Sequence, residues 1–274
     1  MASSTKRERE LARLRAQRQA ERRAAAEAER RKRRTAVLTG LSALAVAAVI
    51  VVIALVTDDG SSSSTVTQQP TASSGGCSYS KASAASKKVT GLPASTGPAK
   101  KSDVKIAFTT SRGEIDATLD GAKAPCTTNS FTFLAGQKYF DSTSCHRLTT
   151  RGIFVLQCGD PSATGSGGPG YQFADENLTA FNSATCTPEK AAAAPCQVTY
   201  PRGTIAMANG GPGTNGSQFF LVYKDSPLAP SYTPFGRITK GLEILDTVAK
   251  GGTIPVNDGK PRIPVQLRKV AVTG

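Results

Sequence analysis

The chemistry open to this chain is limited by its scarcity of histidine. Histidine occurs once in the 274 residues, as His146, and Arg147 follows it directly. One histidine cannot build a His-rich metal centre, and the six cysteines show no Cys-x-x-Cys spacing of the kind that binds zinc or forms a redox pair. We therefore expect no metal and no cofactor. A Ser-His-Asp or Cys-His mechanism would have to use His146 or do without histidine.

Two segments carry the distinctive polar and glycine residues. Residues 145–160 read CHRLTTRGIFVLQCGD, and residues 204–220 read TIAMANGGPGTNGSQFF. Together they resemble the cyclophilin family of peptidyl-prolyl cis-trans isomerases, and the MAN-x-GP-x-TNGSQFF pattern is the stronger signal. The resemblance covers about residues 103–274. It implies a mostly β fold, an eight-stranded antiparallel β-barrel capped by two α-helices.

The reaction implied by this resemblance is rotation about an Xaa-Pro peptide bond. Its barrier is about 18–20 kcal/mol, and the uncatalysed reaction takes roughly tens to hundreds of seconds. At the twisted transition state the amide nitrogen pyramidalises and gains a lone pair. An apolar proline pocket and one N–H donor aimed at that lone pair can stabilise this state without a nucleophile or a base. Arg147, as the arginine of the family's His-Arg pair, fits the donor role.

The resemblance also implies roles for other residues of the two segments. Gln157 would orient Arg147 or contact the substrate, and Gln218 would bond a substrate carbonyl. Asn209 would pair with the substrate backbone through its own main chain, with Ala208 beside it. The residues expected to line the proline pocket are Phe154, Met207, Phe220 and Leu228.

The chain departs from the family pattern in three respects. The first segment is two residues longer than usual, so Phe154, placed by counting back from Gln157, has Ile153 as a rival for the pocket aromatic. The chain contains no tryptophan. The family often has a tryptophan directly before the pocket leucine, whereas here Pro227 precedes Leu228. Tyr232 occupies the position of the family's pocket histidine.

The six cysteines allow 15 pairings. The favoured pair is Cys186 with Cys196, because these two enclose a nine-residue stretch that looks like an insertion. Cys145 and Cys158 flank a predicted hairpin and could meet across it, which would leave Cys77 with Cys126. A free thiol at Cys145 or Cys158 is the alternative.

Periodicity predicts the elements that position these residues. The alternating stretch at residues 104–119 is broken by Ser-Arg-Gly and predicts a β-hairpin. Residues 124–139 and 241–250 have the apolar spacing of helices. The alternating C-terminus predicts a last strand. Many short strands with two helices favour a small antiparallel barrel with helical caps.

Residues 36–56 form an uncharged apolar run, which is long enough for a transmembrane helix. Five basic residues precede it and two aspartates follow, so the positive-inside bias places the N-terminus in the cytoplasm and the rest outside. We interpret the run as an uncleaved signal anchor in the cell membrane; a long, cleaved signal peptide is the alternative. The position of all six cysteines beyond the run agrees with an oxidising exterior.

The flanking segments have distinct compositions. Residues 1–35 form a basic cytoplasmic tail, whose first 34 residues carry 13 basic and 5 acidic side chains, whereas the whole chain has a net charge of +14. We expect this tail to bind anionic membrane lipid, with a ribosome or RNA contact as the alternative. Residues 57–102 are rich in Gly, Ser, Pro and Ala and predict an extracytoplasmic linker. Cys77 and Tyr79 stand out there and could pin its end to the domain at 103–274.

These predictions converge on a membrane-anchored isomerase of exported, partly unfolded polypeptides that contain Xaa-Pro bonds. We expect a monomer and no specific nucleic-acid partner, because the excess basic charge is concentrated in the tail rather than spread over the folded part. Two alternatives remain. One is a peptide-binding chaperone or scaffold with little isomerase activity, and the other is a membrane organiser that acts through its tail.

Overall fold

The computed structural model describes residues 76–95, 102–183 and 185–274. Among these residues no helix is both long and apolar enough to cross a membrane. The predicted tail and the predicted span at 36–56 lie outside the described residues.

The described residues form a mostly antiparallel β structure in which one sheet dominates. The strands are β1 (Tyr79–Lys81), β2 (Val104–Thr110), β3 (Gly113–Leu119), β4 (Thr143–Ser144), β5 (Arg147–Thr149), β6 (Val155–Cys158), β7 (Tyr171–Phe173), β8 (Val198–Tyr200), β9 (Thr204–Met207), β10 (Phe219–Val222), β11 (Ser226–Leu228), β12 (Pro234–Lys240), β13 (Thr253–Ile254), β14 (Asp258–Pro261) and β15 (Gln266–Val272). The helices are α1 (Pro125–Gly136), α2 (Pro188–Ala193) and α3 (Leu242–Gly251).

The main sheet is curled and has the strand order β13-β14-β5-β6-β10-β9-β12-β3-β2-β15-β4. The predicted hairpin is confirmed toward one end of this sheet: β2 and β3 pair from Val104 opposite Leu119 to Thr110 opposite Gly113. Alternate residues of both strands are buried, as expected for a sheet with one face on the core.

Aromatic rings fill the space between the curled sheet and α1. Phe131 of α1 stacks on Phe140 with ring centroids 4.8 Å apart and meets Phe219 of β10 at 5.3 Å. Phe108 and Phe235 also lie within about 6 Å of the Phe131 ring. Because these residues come from four separate segments, the contacts around Phe131 join α1 to both halves of the sheet.

The N-terminus of α1 is capped by a side chain from a distant loop. Pro125 occupies the first turn, where a missing N–H does no harm. The two carboxylate oxygens of Glu176 accept hydrogen bonds from the backbone N–H groups of Cys126 and Thr127, at 3.0 and 2.7 Å. The negative charge of Glu176 at this position also interacts favourably with the positive end of the helix dipole. Burial nevertheless raises the pKa of Glu176 above its ordinary value, despite these hydrogen bonds.

The structure corrects two details of the predicted fold. Within the described residues the main sheet has eleven strands rather than eight, and two further two-stranded sheets, β1-β7 and β8-β11, lie beside it. A third helix, α2, adds to the two predicted ones and lies in the insertion between Cys186 and Cys196. Neither the short added strands nor a helix rich in alanine has enough apolar periodicity to be read from sequence.

The predicted linker also ends earlier than expected. Residues 76–95, which we assigned to the linker at 57–102, belong to the folded domain, because β1 pairs with β7 over three residues. Tyr79 is buried and donates a hydrogen bond to the carbonyl of Cys126 at 2.8 Å. We call residues 76–95 the N-terminal arm.

All three predicted disulfides are present in the structure. They join Cys77 to Cys126, Cys145 to Cys158, and Cys186 to Cys196, and no free cysteine remains among the described residues. The first bond ties the N-terminal arm to α1, the second joins the segment before β5 to β6, and the third closes the insertion.

The aromatic contacts predict a large effect of Phe131→Ala. The ring is 3% exposed, so its removal should lower the free energy of unfolding by about 3–5 kcal/mol through lost burial and a residual cavity. Denaturant unfolding with the disulfides intact measures this effect. The control is Phe133→Ala on the same helix, whose half-buried ring should matter by only about 1–2 kcal/mol. Equal losses in the two variants would contradict the assignment of Phe131 to the centre of the core.

Candidate active site

Three adjacent strands bring the predicted polar residues onto one face of the sheet. Arg147 of β5 lies opposite Gln157 of β6, and Gln157 lies opposite Phe220 of β10. Residues directly opposite one another on neighbouring strands point to the same face. The sheet register therefore places the arginine donor, the glutamine and the apolar ring in one row.

The guanidinium of Arg147 is held on two sides. Its Nε and Nη2 each donate to one carboxylate oxygen of Asp258, both at 2.7 Å, and its Nη1 donates to Oε1 of Gln157 at 3.2 Å. The hydrogen bonds with Asp258 raise the pKa of Arg147 and lower that of Asp258. A two-pronged bond of this kind fixes the plane of the guanidinium as well as its position.

The arginine also fixes the direction of a chain of amide hydrogen bonds. Because Arg147 can only donate, Gln157 must turn its oxygen toward it. The amide nitrogen of Gln157 then donates to Oε1 of Gln218 at 2.8 Å. The amide nitrogen of Gln218 in turn donates to the carbonyls of Gly165 and Gly167, both at 2.9 Å. Both predicted glutamines are thus at the site, and the amide of Gln218 is occupied by the glycine loop at 165–170.

A buried carboxylate shapes that glycine loop. Asp160 is fully buried and accepts hydrogen bonds from the side chain of Ser162 and from the backbone N–H groups of Gly165 and Gly167. Burial alone would raise the pKa of Asp160, but these hydrogen bonds outweigh it and lower the pKa. The charge of Asp160 therefore fixes the loop that receives Gln218.

An apolar cluster adjoins the polar row on the same face. It contains Phe220 and Leu228, which were predicted for the pocket, Tyr232 at the pocket-histidine position, and Ala208, which was expected beside Asn209. The rings of Phe220 and Tyr232 meet edge to face with centroids 5.6 Å apart. We call this group, with Ile153 and Val155, the apolar pocket cluster.

The structure does not place Met207 in this cluster. Met207 is 2% exposed and lies opposite Phe219 on the core face of the sheet. Its neighbour Ala206 lies opposite Phe220 and faces the pocket instead. The alternation of faces along a strand, applied from Phe220, would have made the distinction.

Phe154 is likewise outside the apolar pocket cluster. Its ring packs against Tyr223, with centroids 6.0 Å apart, and lies under the ammonium of Lys224 at 4.5 Å. The rival residue Ile153 is in the cluster, as is Val155. Within β6, alternation places Val155 and Gln157 on one face.

Asn209 uses its side chain within the protein. Its amide nitrogen donates to the carbonyl of Ser231 at 2.8 Å and to Asp175 at 3.3 Å. The backbone N–H of Ala208 donates to the carbonyl of Gln218 at 2.9 Å. These bonds hold residues 208 and 209 against the glutamine chain, so any contact of Asn209 with a bound chain must come from its backbone.

His146 lies behind the row with an unusual lack of partners. The residue is 9% exposed, and within the described part of the chain neither ring nitrogen has a hydrogen-bond partner. Burial lowers its pKa below the ordinary value, which favours the neutral ring.

Asp258 is the site residue that sequence analysis missed. Asp258 comes 111 positions after Arg147 and lies outside the two segments that resemble the family. Only the pairing of β14 with β5 brings it near, with Asp258 opposite Thr149. An aspartate followed by glycine reads as an ordinary turn, so no local signal marks it.

One face of the curled antiparallel sheet presents an arginine, two glutamines and an apolar cluster. These are groups that can bind and orient a peptide without a nucleophile. The family model for cyclophilin type peptidyl-prolyl cis-trans isomerase/CLD matches residues 105–272. The chain belongs to this family.

Relatives of known name agree with this assignment. A probable peptidyl-prolyl cis-trans isomerase B of Mycobacterium leprae is 46% identical over 198 residues, covering 71% of this chain and 65% of the relative. Its counterpart in Mycobacterium tuberculosis H37Rv is 46% identical over 199 residues, covering 71% and 63%. The chain thus spans a little under two thirds of the length of these relatives. A crystal structure of a Cryptosporidium parvum cyclophilin type isomerase, 26% identical, covers 63% of this chain and 99% of its own, with a TM-score of 0.48.

The clamp on Arg147 predicts a specific effect of Asp258→Asn. Loss of the charge should loosen the guanidinium, so the Nε–H signal of Arg147 in a 1H–15N NMR spectrum should shift and broaden. The control is Asp246→Asn, which breaks a similar two-pronged bond to Arg202 elsewhere on the surface and should leave the Arg147 signal unchanged.

The lowered pKa of Asp258 gives the same prediction a pH dependence. A carboxylate whose pKa is lowered in the folded state holds its ion pair throughout the neutral range and loses it as the pH falls through that lowered value. The Arg147 signal should therefore stay constant from about pH 7 to pH 5 and change only below the ordinary aspartate pKa, about 3.9. A change centred near neutral pH would contradict the assignment to Asp258.

Proposed function

We propose that this chain is an active peptidyl-prolyl cis-trans isomerase that accelerates rotation about Xaa-Pro bonds. The observation that supports this most is the position of Arg147. Its guanidinium is fixed by Asp258 and Gln157 and lies in the same row as Phe220 of the apolar pocket cluster. A proline ring in the cluster would bring its amide nitrogen next to a permanently charged donor.

The free N–H groups of Arg147 would stabilise the transition state. Three of the five guanidinium N–H groups bond to Asp258 and Gln157, which leaves one on each Nη for a substrate. In the planar amide the nitrogen lone pair is delocalised and is a poor hydrogen-bond acceptor. As the bond twists, the lone pair localises on nitrogen and becomes an acceptor, so this hydrogen bond is stronger in the transition state than in either ground state. Each tenfold gain in rate requires the enzyme to stabilise the transition state by about 1.4 kcal/mol more than the ground state.

The pocket cluster would hold the proline ring while the bond turns. The edge-to-face pair of Phe220 and Tyr232 presents apolar surface without a competing charge. Tyr232 is itself fixed, because the hydroxyl of Tyr200 donates to its carbonyl at 2.7 Å and accepts from its N–H at 3.3 Å. A rigid wall here opposes movement of the ring, so rotation takes place in the flanking chain.

The remaining predicted residues would anchor the flanking chain. The backbone at Asn209 and Ala208 lies beside the glutamine chain and could pair with an extended peptide. Gln157 would orient Arg147. Gln218 could bond a substrate carbonyl only by exchanging its bonds to the glycine loop, since both its amide bonds are made there.

The occupied amide of Gln218 favours one second candidate function. If those bonds persist with a peptide bound, the groove would hold proline-containing chains without fully supporting rotation, as a chaperone or scaffold would.

We further propose that the domain acts outside the cell membrane, anchored by residues 36–56. Three disulfides among the described residues support an oxidising compartment. The uncharged length of residues 36–56, with the basic run before it, supports a single span with the tail inside and the tail's cations on anionic lipid. The substrates would then be exported, partly unfolded polypeptides.

Isomerase activity is tested by the rate of cis-to-trans conversion of an Ala-Xaa-Pro-Phe peptide with the full-length protein. Arg147→Ala should lower kcat/KM by about 10²–10³-fold, the usual effect of removing one preorganised transition-state donor. The control is Arg202→Ala, which removes another carboxylate-paired arginine away from the site and should leave kcat/KM unchanged. Activity that survives Arg147→Ala would refute the donor mechanism, and a folded wild type without activity would favour the scaffold.

The anchor is tested by cell fractionation. The full-length protein should remain in the membrane pellet after washing at high salt and at alkaline pH, because an apolar span resists both treatments. A variant lacking residues 36–56 should become extractable. Release of a shortened protein into the medium would indicate cleavage and overturn the anchor.

A further inference from the structure

The strand pairing that places Arg147 in the site is short. β5 pairs with β6 at only two positions, Arg147 opposite Gln157 and Leu148 opposite Leu156. β14, on the other side of β5, adds only two more pairs. Short pairings of this kind are marginally stable in water on their own. The position of the guanidinium relative to the rest of the site therefore depends on contacts beyond this ladder.

A disulfide lies directly beside the short pairing. Cys145 stands two residues before Arg147, and Cys158 follows Gln157 directly. Both cysteines are buried, with exposed fractions of 3% and 0%. Next to the bond, the backbone N–H of His146 donates to the carbonyl of Gln157 at 3.0 Å. The disulfide thus fastens β5 to β6 at the end of the ladder where Arg147 meets Gln157.

The neighbouring side chains supply weaker links to β6. Within the described part of the chain, neither ring nitrogen of His146 has a hydrogen-bond partner. Asp258 holds Arg147 to β14, which lies on the opposite side of β5 from β6. The hydrogen bond from Arg147 to Gln157, at 3.2 Å, is longer than the two to Asp258. The covalent bond is therefore the firmest connection between β6 and the segment that carries Arg147.

The disulfide also joins two distant parts of the curled sheet. In the strand order, β4 lies at one edge, whereas β5 and β6 lie near the other. Cys145 follows β4 directly, and its N–H donates to the carbonyl of Val265, immediately before β15, at 2.9 Å. Cys158 is the last residue of β6 and lies opposite Phe219 of β10. The bond therefore connects the segment that arrives from the β4–β15 edge to β6 and β10.

This connection determines which groups of the site would move together. Gln157 belongs to β6 and Phe220 to β10, and these two strands pair at four positions. Arg147 belongs to β5. If β5 shifted relative to β6, Gln157 and the apolar pocket cluster would stay together, and the donor would move away from both. The distance between Arg147 and a proline ring at Phe220 thus depends on the junction of β5 with β6.

We propose that the Cys145–Cys158 disulfide is a positioning cross-link for the reaction, which keeps the guanidinium of Arg147 at a fixed distance from the apolar pocket cluster. The two sulfur atoms take no part in bond rotation and act through Arg147. A group that acts by position is sensitive to small shifts, and a displacement of about 1 Å can cost about 10²-fold in rate. This inference rests on the proposed isomerase function for the reaction it serves.

The test replaces both cysteines in the full-length protein, Cys145→Ala with Cys158→Ala. The kcat for an Ala-Xaa-Pro-Phe peptide should fall by about 10–100-fold. KM should change by less than about twofold, because the misplaced donor acts on the twisted amide rather than on the bound ground state. The Nε–H signal of Arg147 in a 1H–15N NMR spectrum should broaden, since the guanidinium is no longer held in one place.

The matched control is Cys186→Ala with Cys196→Ala. This disulfide closes a loop of similar length, with a sequence separation of 10 against 13, but it packs beside the apolar pocket cluster and not beside β5. Its removal should leave kcat and the Arg147 signal unchanged, and any effect should fall on KM.

Two further variants separate positioning from stability. Cys145→Val with Cys158→Ala restores apolar volume without the covalent bond and should show the same loss of kcat. Removal of the disulfide from Arg147→Ala should lower kcat by less than about twofold, since groups that act through one another are not additive. A bond that serves stability alone would give the same loss with and without the arginine.

The outcomes distinguish this inference from the proposed function. A wild type without rotation activity would refute the isomerase proposal, and the Arg147 signal would still decide whether the disulfide holds the guanidinium. An active protein that keeps its kcat and its Arg147 signal without the bond would overturn the positioning role and leave the isomerase proposal standing. Loss of the folded state in both cysteine variants, seen by circular dichroism, would assign the bond to stability and overturn the positioning role as well.

Discussion

The hydrogen bonds of one guanidinium organise this site. A lone arginine on a flexible side chain would lose rotational freedom each time it met a substrate, and that loss would weaken any preference for a twisted amide. Here the carboxylate of Asp258 has already fixed the plane of Arg147, and Gln157 fixes its remaining edge. The charge of Asp258 also neutralises part of the arginine's attraction for other anions, so the two N–H groups left over act mainly through direction.

The fixed guanidinium also determines the amide orientations of Gln157 and Gln218. Gln157 and Gln218 each have two possible amide orientations, and only one is compatible with an arginine that cannot accept a hydrogen bond. The chain ends on carbonyls of the glycine loop, which the buried carboxylate of Asp160 holds in shape and which the N-terminal arm braces from outside. The carboxylates of Asp258 and Asp160 thus define the two ends of the polar row.

Features that depend on residues close in sequence could be predicted, whereas features that depend on pairing between distant segments could not. The hairpin, the helices at 125–136 and 242–251 and the disulfides Cys145–Cys158 and Cys186–Cys196 follow from local periodicity or from short enclosed loops, whereas Cys77–Cys126, with a sequence separation of 49, follows only by elimination. The motif residues Arg147, Gln157, Gln218 and Phe220 meet as expected. Phe154 and Met207 pack on the main core instead of the apolar pocket cluster, a difference that motif distance alone does not reveal. Asp258 and the role of the arm could not be predicted, since each depends on a pairing between distant segments, β14 with β5 and β1 with β7.

The two segments that lie beyond the common pattern brace the site from opposite sides, and each contains a disulfide. The arm, tied down by Cys77–Cys126, supports the polar side through the glycine loop. The Cys186–Cys196 disulfide that closes the insertion supports the apolar side, because both cysteines pack in the same cluster as Phe220 and Tyr200, and the hydroxyl of Tyr200 holds Tyr232. Because the donor and the apolar cluster act through their positions, movement of either side would change the geometry between them. The two disulfides tie the segments behind both sides covalently to the rest of the fold, so neither side can move far on its own.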